Sequence, residues 1–257
     1  MEGGGGVRLL TRYGSVLLLA ALWEAAARLG IFNRVLFPPA TVILVRLGSM
    51  LWEGVLVQEA GQSLLRMGTG FALALAVGIP LGMLMARSRK VEGFFAPIFA
   101  FGFPVPKIGL IPIFLLFLGL GHGSKIALVF LDALFPVVLN AFHGVRLVER
   151  QFIWSARAMG DSEAAILRRV VWPAALPHIF TGIRLGLIVS LIVVFLSEMV
   201  SAGSGLGHVM IISARNFKIV DMYTAILSIG LLGALLDRAV LAARAQALQW
   251  YEGEAAA

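Results

Sequence analysis

The chain has 257 residues, 60% apolar and 14% charged, with no cysteine and a formal net charge of +7. A soluble domain carries ~45–50% apolar and ~25% charged residues, so this apolar surplus exceeds what a core of this size can hide, and a bilayer is its natural solvent. A soluble enzyme, a disordered tail and a disulfide-stapled secreted scaffold are excluded.

Residues 1–13, with a glycine tract at 3–6, read as a flexible N-terminus. A first span follows at 14–32, interrupted by Glu24 and Arg28. Arg8 and Arg12 ahead of an apolar run also suit a signal sequence, but no small-x-small cleavage site stands out. Residues 33–63 carry Pro38-Pro39, Glu53 and Glu59 and read as a surface loop with an amphipathic piece. The second span is 64–86, uncharged from Met67 to Ala86. Gly68, Gly70, Gly78 and Gly82 give it a small-residue face for close helix contact, and Pro80 predicts a kink.

After the basic loop Arg87-Ser88-Arg89-Lys90, the stretch 92–107 holds Pro97, Pro104 and Pro106, which predicts a short membrane-surface helix and a break. The third span, 108–120, is short and uncharged, and ends in the glycine loop 119–123. The fourth, 125–142, contains one acid, Asp132. Residues 144–172 hold Arg146, Glu149, Arg150, Arg157, Asp161, Glu163, Arg168 and Arg169, a long polar loop with helical character on both sides of Gly160. The fifth span is 179–200, with Arg184 near its start and Glu198 near its end. A glycine-bearing outer loop with a short helix covers 201–221, the sixth span is 222–243, and 244–257 is a polar tail. The fold class is therefore an all-α, polytopic membrane protein with about six transmembrane helices.

Six spans put both termini on one side of the membrane. With them lie Arg8, Arg12, Arg87, Arg89, Lys90, Arg146, Arg150, Arg157, Arg168, Arg169, Arg184, Arg238 and Arg244, thirteen of the 21 basic residues. Arg34, Arg46, Lys125, Arg215 and Lys218 lie opposite. The positive-inside rule then makes the termini, the tail and the 144–172 loop cytoplasmic. The positive charge is an orientation signal, and a nucleic-acid partner is not expected.

No Gly-x-x-x-x-Gly-Lys-Ser/Thr occurs: none of Lys90, Lys107, Lys125 and Lys218 follows a glycine, so the chain is not itself a P-loop ATPase. His122, His143, His178 and His208 are scattered, with no metal-ligand spacing. No catalytic residue, metal or cofactor of its own is expected.

The most specific stretch runs Trp154-Ser155-Ala156-Arg157-Ala158-Met159-Gly160, then Val170-Val171-Trp172-Pro173. A small-faced helix before a glycine, a second helix over 162–171 and a stop at Pro173 predict an elbow projecting into the cytoplasm. This resembles the signature loop of ABC-importer permeases, with Trp172-Pro173 standing for the usual Leu-Pro. Trp154-Ser155-Ala156 departs from the usual opening Glu-Ala-Ala at two positions. Glu163-Ala164-Ala165 matches literally but lies out of register with Gly160. Gly78-Ile79-Pro80-Leu81-Gly82, Pro97, Pro104, Pro106, Pro112, Phe135-Pro136, Asn140 with Gly144, Arg184-Leu185-Gly186, and Glu198 with Gly205-Leu206-Gly207 are similar to the nitrate/sulfonate/taurine-type permeases. Ala141 and Asp161 depart, where threonine and alanine are common.

The resemblance implies a multi-pass subunit of the cell's inner membrane working as a homodimer. It implies two cytoplasmic ATPase subunits that hold ATP and Mg, and an external binding protein delivering a small anionic solute such as a sulfonate, nitrate, taurine or an aromatic carboxylate. ATPase coupling would fall to Ala156, Arg157, Ala158, Met159, Gly160, Asp161 and Pro173. Asp132, Asn140 and Glu198 are candidates for the pathway or its gate. The alternative is an ion-coupled secondary transporter using Asp132 and Glu198, since intramembrane acids are functional by default. No hydropathy symmetry between the halves supports it.

Overall fold

A computed structural model describes residues 4–33, 35–200 and 203–250, with side chains from residue 14 onward. The side chains of Arg8 and Arg12, and Arg34, 201–202 and the tail from 251 lie outside the described residues. Every regular element of the described chain is helical: α1 (Gly4–Arg28), α2 (Ala40–Trp52), α3 (Val55–Arg87), α4 (Arg89–Gly102), a 3-10 turn (Lys107–Leu110), α5 (Ile111–Leu118), α6 (His122–Arg146), α7 (Arg150–Ala158), α8 (Glu163–Ile166), a π-turn (Leu167–Val171), α9 (Trp172–Val200), α10 (Leu206–Arg215) and α11 (Ile219–Ala247).

Four of these are long and apolar enough to cross a membrane: α3, α6, the continuous run Glu163–Val200, and α11. α4 and the stretch Lys107–Leu118, bent by 88° at their break, make a fifth if they form one broken span. Six spans were expected, and the described residues support four or five. The expected third span, 108–120, does not stand alone, because α5 has eight residues, about 12 Å of helix, and Pro104 and Pro106 separate it from α4. The first, 14–32, ends early, since α1 stops at Arg28. The expected flexible tract 1–13 is helical from Gly4. The charges interrupting that first span have a local use. Arg28 Nε donates to Glu24 at 2.6 Å, and Glu24 accepts from the Thr41 amide at 3.1 Å, capping the start of α2 from a neighbouring helix.

The core is α6 held between α3 and α9. On α3 the small residues recur every four positions, so one stripe faces α6. A Cβ on Gly70 would lie 2.7 Å from Ile126 O, one on Gly78 2.8 Å from Val137 Cγ1, and one on Gly82 2.5 Å from Val138 O. Ala74 completes the stripe, fully buried. Gly68, assigned to this face from the sequence, has open space around it, because two positions before Gly70 is off the stripe. On α9, Gly182 and Gly186 meet α6 in the same way, against Asn140 and Val137. Without a hydrophobic driving force inside lipid, this close backbone approach is what holds such helices together.

Pro173 does not stop a helix, contrary to expectation: Glu163–Val200 runs through it as 38 residues. A proline lacks the N–H of the i→i−4 ladder and crowds the preceding turn. The π-turn just before it absorbs both problems by widening the spiral, and the Trp172 amide reaches five residues back to Leu167 O.

Candidate functional site

Two polar constellations sit at opposite ends of the run Glu163–Val200. At one end, α7 closes with a left-handed cap. The Gly160 amide donates to Arg157 O at 3.0 Å and the Asp161 amide to Ala156 O at 3.1 Å, with Gly160 at φ +86°. This pair of bonds needs a residue without a Cβ penalty at that position. Ser162 then starts the next helix, its hydroxyl accepting from the Ala165 amide at 3.3 Å. Glu163 accepts from Arg157 Nε at 2.8 Å and from Arg87 Nη2 at 3.1 Å, tying the elbow to the end of α3.

The elbow has a back and a front. Ala156 is buried with Val145, Val148, Ile166 and Val171, so it holds the elbow to its own fold rather than presenting a docking face. Arg157, Ala158, Met159 and Gly160 are exposed. Asp161 is half-buried and accepts from Arg169 at 3.4 Å, and Pro173, also half-buried, lies in the helix behind. Met159 is 78% and Trp154 61% exposed. Large apolar side chains standing out among arginines mark an interaction surface.

At the other end, Glu198 is fully buried. Its carboxylate accepts from Arg66 Nη1 at 2.7 Å, Ser63 Oγ at 2.8 Å and the Gly207 amide at 3.1 Å. Ser63 Oγ in turn accepts from the Leu206 amide at 3.0 Å. Arg66 donates to Ser204 O at 2.7 Å and to His122 Nδ1 at 3.1 Å, and Glu59 accepts from the Gly205 amide. Gly205 has φ +110°, and the Glu198 carboxylate occupies the space where its Cβ would be. Four helices, α3, α6, α9 and α10, thus meet at one buried ion pair. A buried charge pair survives only when its remaining hydrogen-bonding positions are filled, and here they are filled largely by the loop leading into α10.

Asp132 and Asn140 do not join Glu198; among the described residues the three share no partner. Asp132 Oδ1 lies 3.4 Å from Lys107 Nζ, which also donates to Phe103 O at 3.1 Å and sits 4.1 Å from the centre of the Phe135 ring. That lysine pins the α4–α5 break to α6. Asn140 Nδ2 donates to Pro136 O at 2.8 Å, and its Cβ packs on Gly182. Both acids of the ion-coupled alternative are therefore committed to cations of the protein. Among the described residues, no group of three or more His, Asp or Glu side chains could hold a metal ion. Sequence reasoning missed Arg66, Ser63, Glu59, Ser204 and Lys107. The signal was present for one: Arg66 and Glu198 are opposite charges near the ends of two expected spans, where an unpaired charge is costly.

A family model described as the binding-protein-dependent transport system inner membrane component matches residues 78–244. The taurine transport system permease protein TauC of Escherichia coli is 32% identical over 244 residues, covering 93% of this chain and 88% of that protein. A putative aliphatic sulfonates transport permease protein, SsuC of Bacillus subtilis, is 30% identical over 240 residues, 92% and 87% of the two chains. A probable ABC transporter permease protein of Brucella abortus is 33% identical over 218 residues, 85% and 87%. Among solved structures, an inward-facing MetNI methionine ABC transporter superposes with a TM-score of 0.64 over 77% of this chain and 98% of that one, at 21% identity, which supports the fold.

Proposed function

We propose that this chain, which belongs to the family of binding-protein-dependent transport-system inner-membrane components, forms the pathway of an ATP-driven importer as one of two copies. It is an ABC-transporter permease subunit of the sulfonate and taurine type and a multi-pass membrane protein. In this reading two ATPase subunits dock on the elbows, hold ATP and Mg between them, and carry out the hydrolysis. An external binding protein delivers a small anionic solute, in keeping with the relatives named for taurine and aliphatic sulfonates. With α1 and the bent pair Arg89–Leu118 each counted as a crossing beside the four long helices, the crossings number six, and both termini and the elbow face the cytoplasm, as the thirteen basic residues on that side suggest.

The observation that carries the reading is the elbow itself, with Met159, Trp154 and Gly160 bared at its tip and Ala156 locked behind. A push on it has a rigid route across the molecule. Glu163–Val200 is one run of 38 residues, about 57 Å at ~1.5 Å per residue. Its outer end carries Glu198, which holds the loop before α10 through Arg66 and Ser63. Closure of the ATPases would tilt this lever and shift the outer loop with it, exposing the cavity between two copies to each side in turn.

The test is ATP hydrolysis by the cognate ATPase with Gly160→Val permease in vesicles. A β-branched residue at φ +86° costs about 1–3 kcal/mol at the turn. Permease-stimulated hydrolysis is lost while insertion is retained. Normal stimulated hydrolysis in that variant would sink the assignment.

A further inference from the structure

A groove of about 930 Å³ runs along the inner half of α3, between Ile79, Met83 and Leu84 on one side and Leu167 and Trp172 on the other. Its walls are almost wholly apolar, but one end is not: Arg87, Glu163 and Arg168 line it there. We infer that the groove seats an acyl chain of an anionic phospholipid whose phosphate rests on Arg168.

Length, wall chemistry and end charge all point to that occupant. The lining of α3 extends from Leu75 to Ser88, about 20 Å at ~1.5 Å per residue, against about 15 Å for half of a ~30 Å hydrocarbon core. The groove therefore spans a leaflet and opens at its headgroup level beside Arg168, with Trp172 about one turn deeper along Glu163–Val200. The Glu163 carboxylate there is already taken by Arg87 and Arg157. Arg168 is exposed and makes no ion pair among the described residues. The site is thus net positive with a guanidinium to spare. Basic pockets between membrane helices take anionic headgroups in this way. A soluble partner cannot reach the apolar wall of a membrane helix, so the competing occupant is a second copy of the chain.

The full chain is reconstituted in nanodiscs containing phosphatidylglycerol or phosphatidylcholine with brominated acyl chains, and Trp172 quenching is taken as the difference between wild type and Trp172→Phe. One free arginine near the headgroup gives about a fivefold preference for the anionic lipid, and Arg168→Gln brings the ratio to about one. Should Trp172→Phe fail to insert, native mass spectrometry of wild type and Arg168→Gln reads the same difference as a retained anionic lipid present in one and absent in the other. Equal quenching by both lipids would mean ordinary annular lipid and overturn the proposal. So would no quenching by either, which would mean that protein covers the groove. Both leaflets of the disc have one composition, so the result stands apart from the orientation and the ATPase docking proposed above.

Discussion

A few side chains decide the end of the molecule away from the elbow. Glu198, Arg66 and Ser63 replace water for one another, and each completes a set of bonds that the others need. Glu198→Ala leaves the Arg66 guanidinium buried without its counter-charge, and breaking such a pair costs about 3–5 kcal/mol. Thermal unfolding in detergent should show a large loss for Glu198→Ala and a smaller one for Glu198→Gln, which keeps the shape and most of the hydrogen bonds. Equal stability of Glu198→Ala and wild type would remove the pair from the account of the loop. Gly205 is constrained twice, by φ +110° and by the carboxylate lying where its Cβ would go. Gly205→Ala should therefore mimic Glu198→Ala, and wild-type stability in this variant would count against the geometry.

At the level of helices, the stripe of small residues on α3 sets how closely α6 can approach. Gly82→Ala would drive a methyl group against Val138 O at 2.5 Å. The obstacle is backbone, so overpacking of about 1–3 kcal/mol is expected. Gly68→Ala meets open space and gains helix propensity of up to about 1 kcal/mol. Melting temperatures of the two variants should move in opposite directions. A parallel fall in both would mean that the stripe is not what packs the helices. The π-turn before Pro173 matters at this scale too, since it turns an expected helix stop into one continuous run between the elbow and the Glu198 site.

For the molecule as a whole, orientation and coupling are the testable properties. Gly203 is exposed with room for a side chain, and Met159 is 78% exposed at the elbow. Ser204 suits labelling less well, because it is bonded to Arg66. In a chain without cysteine, Gly203→Cys should react with an impermeant maleimide from outside, and Met159→Cys only after permeabilisation; the reverse pattern would invert the topology. Coupling separates the two transport mechanisms. With the ATPase and binding protein present, uptake in proteoliposomes should need ATP, ignore collapse of a proton gradient, and fall only partly in Glu198→Gln. Uptake driven by a pH gradient without ATP, and lost in that variant, would establish the ion-coupled alternative.

The sequence by itself determined the membrane class, the helical architecture, the family and the turn at Gly160. Those follow from composition, charge gaps and local backbone chemistry, which act within a few residues. It also marked Glu198 as an intramembrane acid near the end of the fifth expected span. Only the tertiary structure decided its partners, because Ser63 and Arg66 lie more than 130 residues away in the chain (135 and 132), and no local period links such positions. The same limit explains Ala156 and Gly68: a small residue in a helix can serve a partner, its own core or neither, and only the direction of its face separates these. Pro173 was misread because its missing N–H predicts a break only if the preceding turn stays α-helical. The π-turn that removes the conflict is a choice of the packed structure, where widening one turn costs less than ending a helix inside the fold.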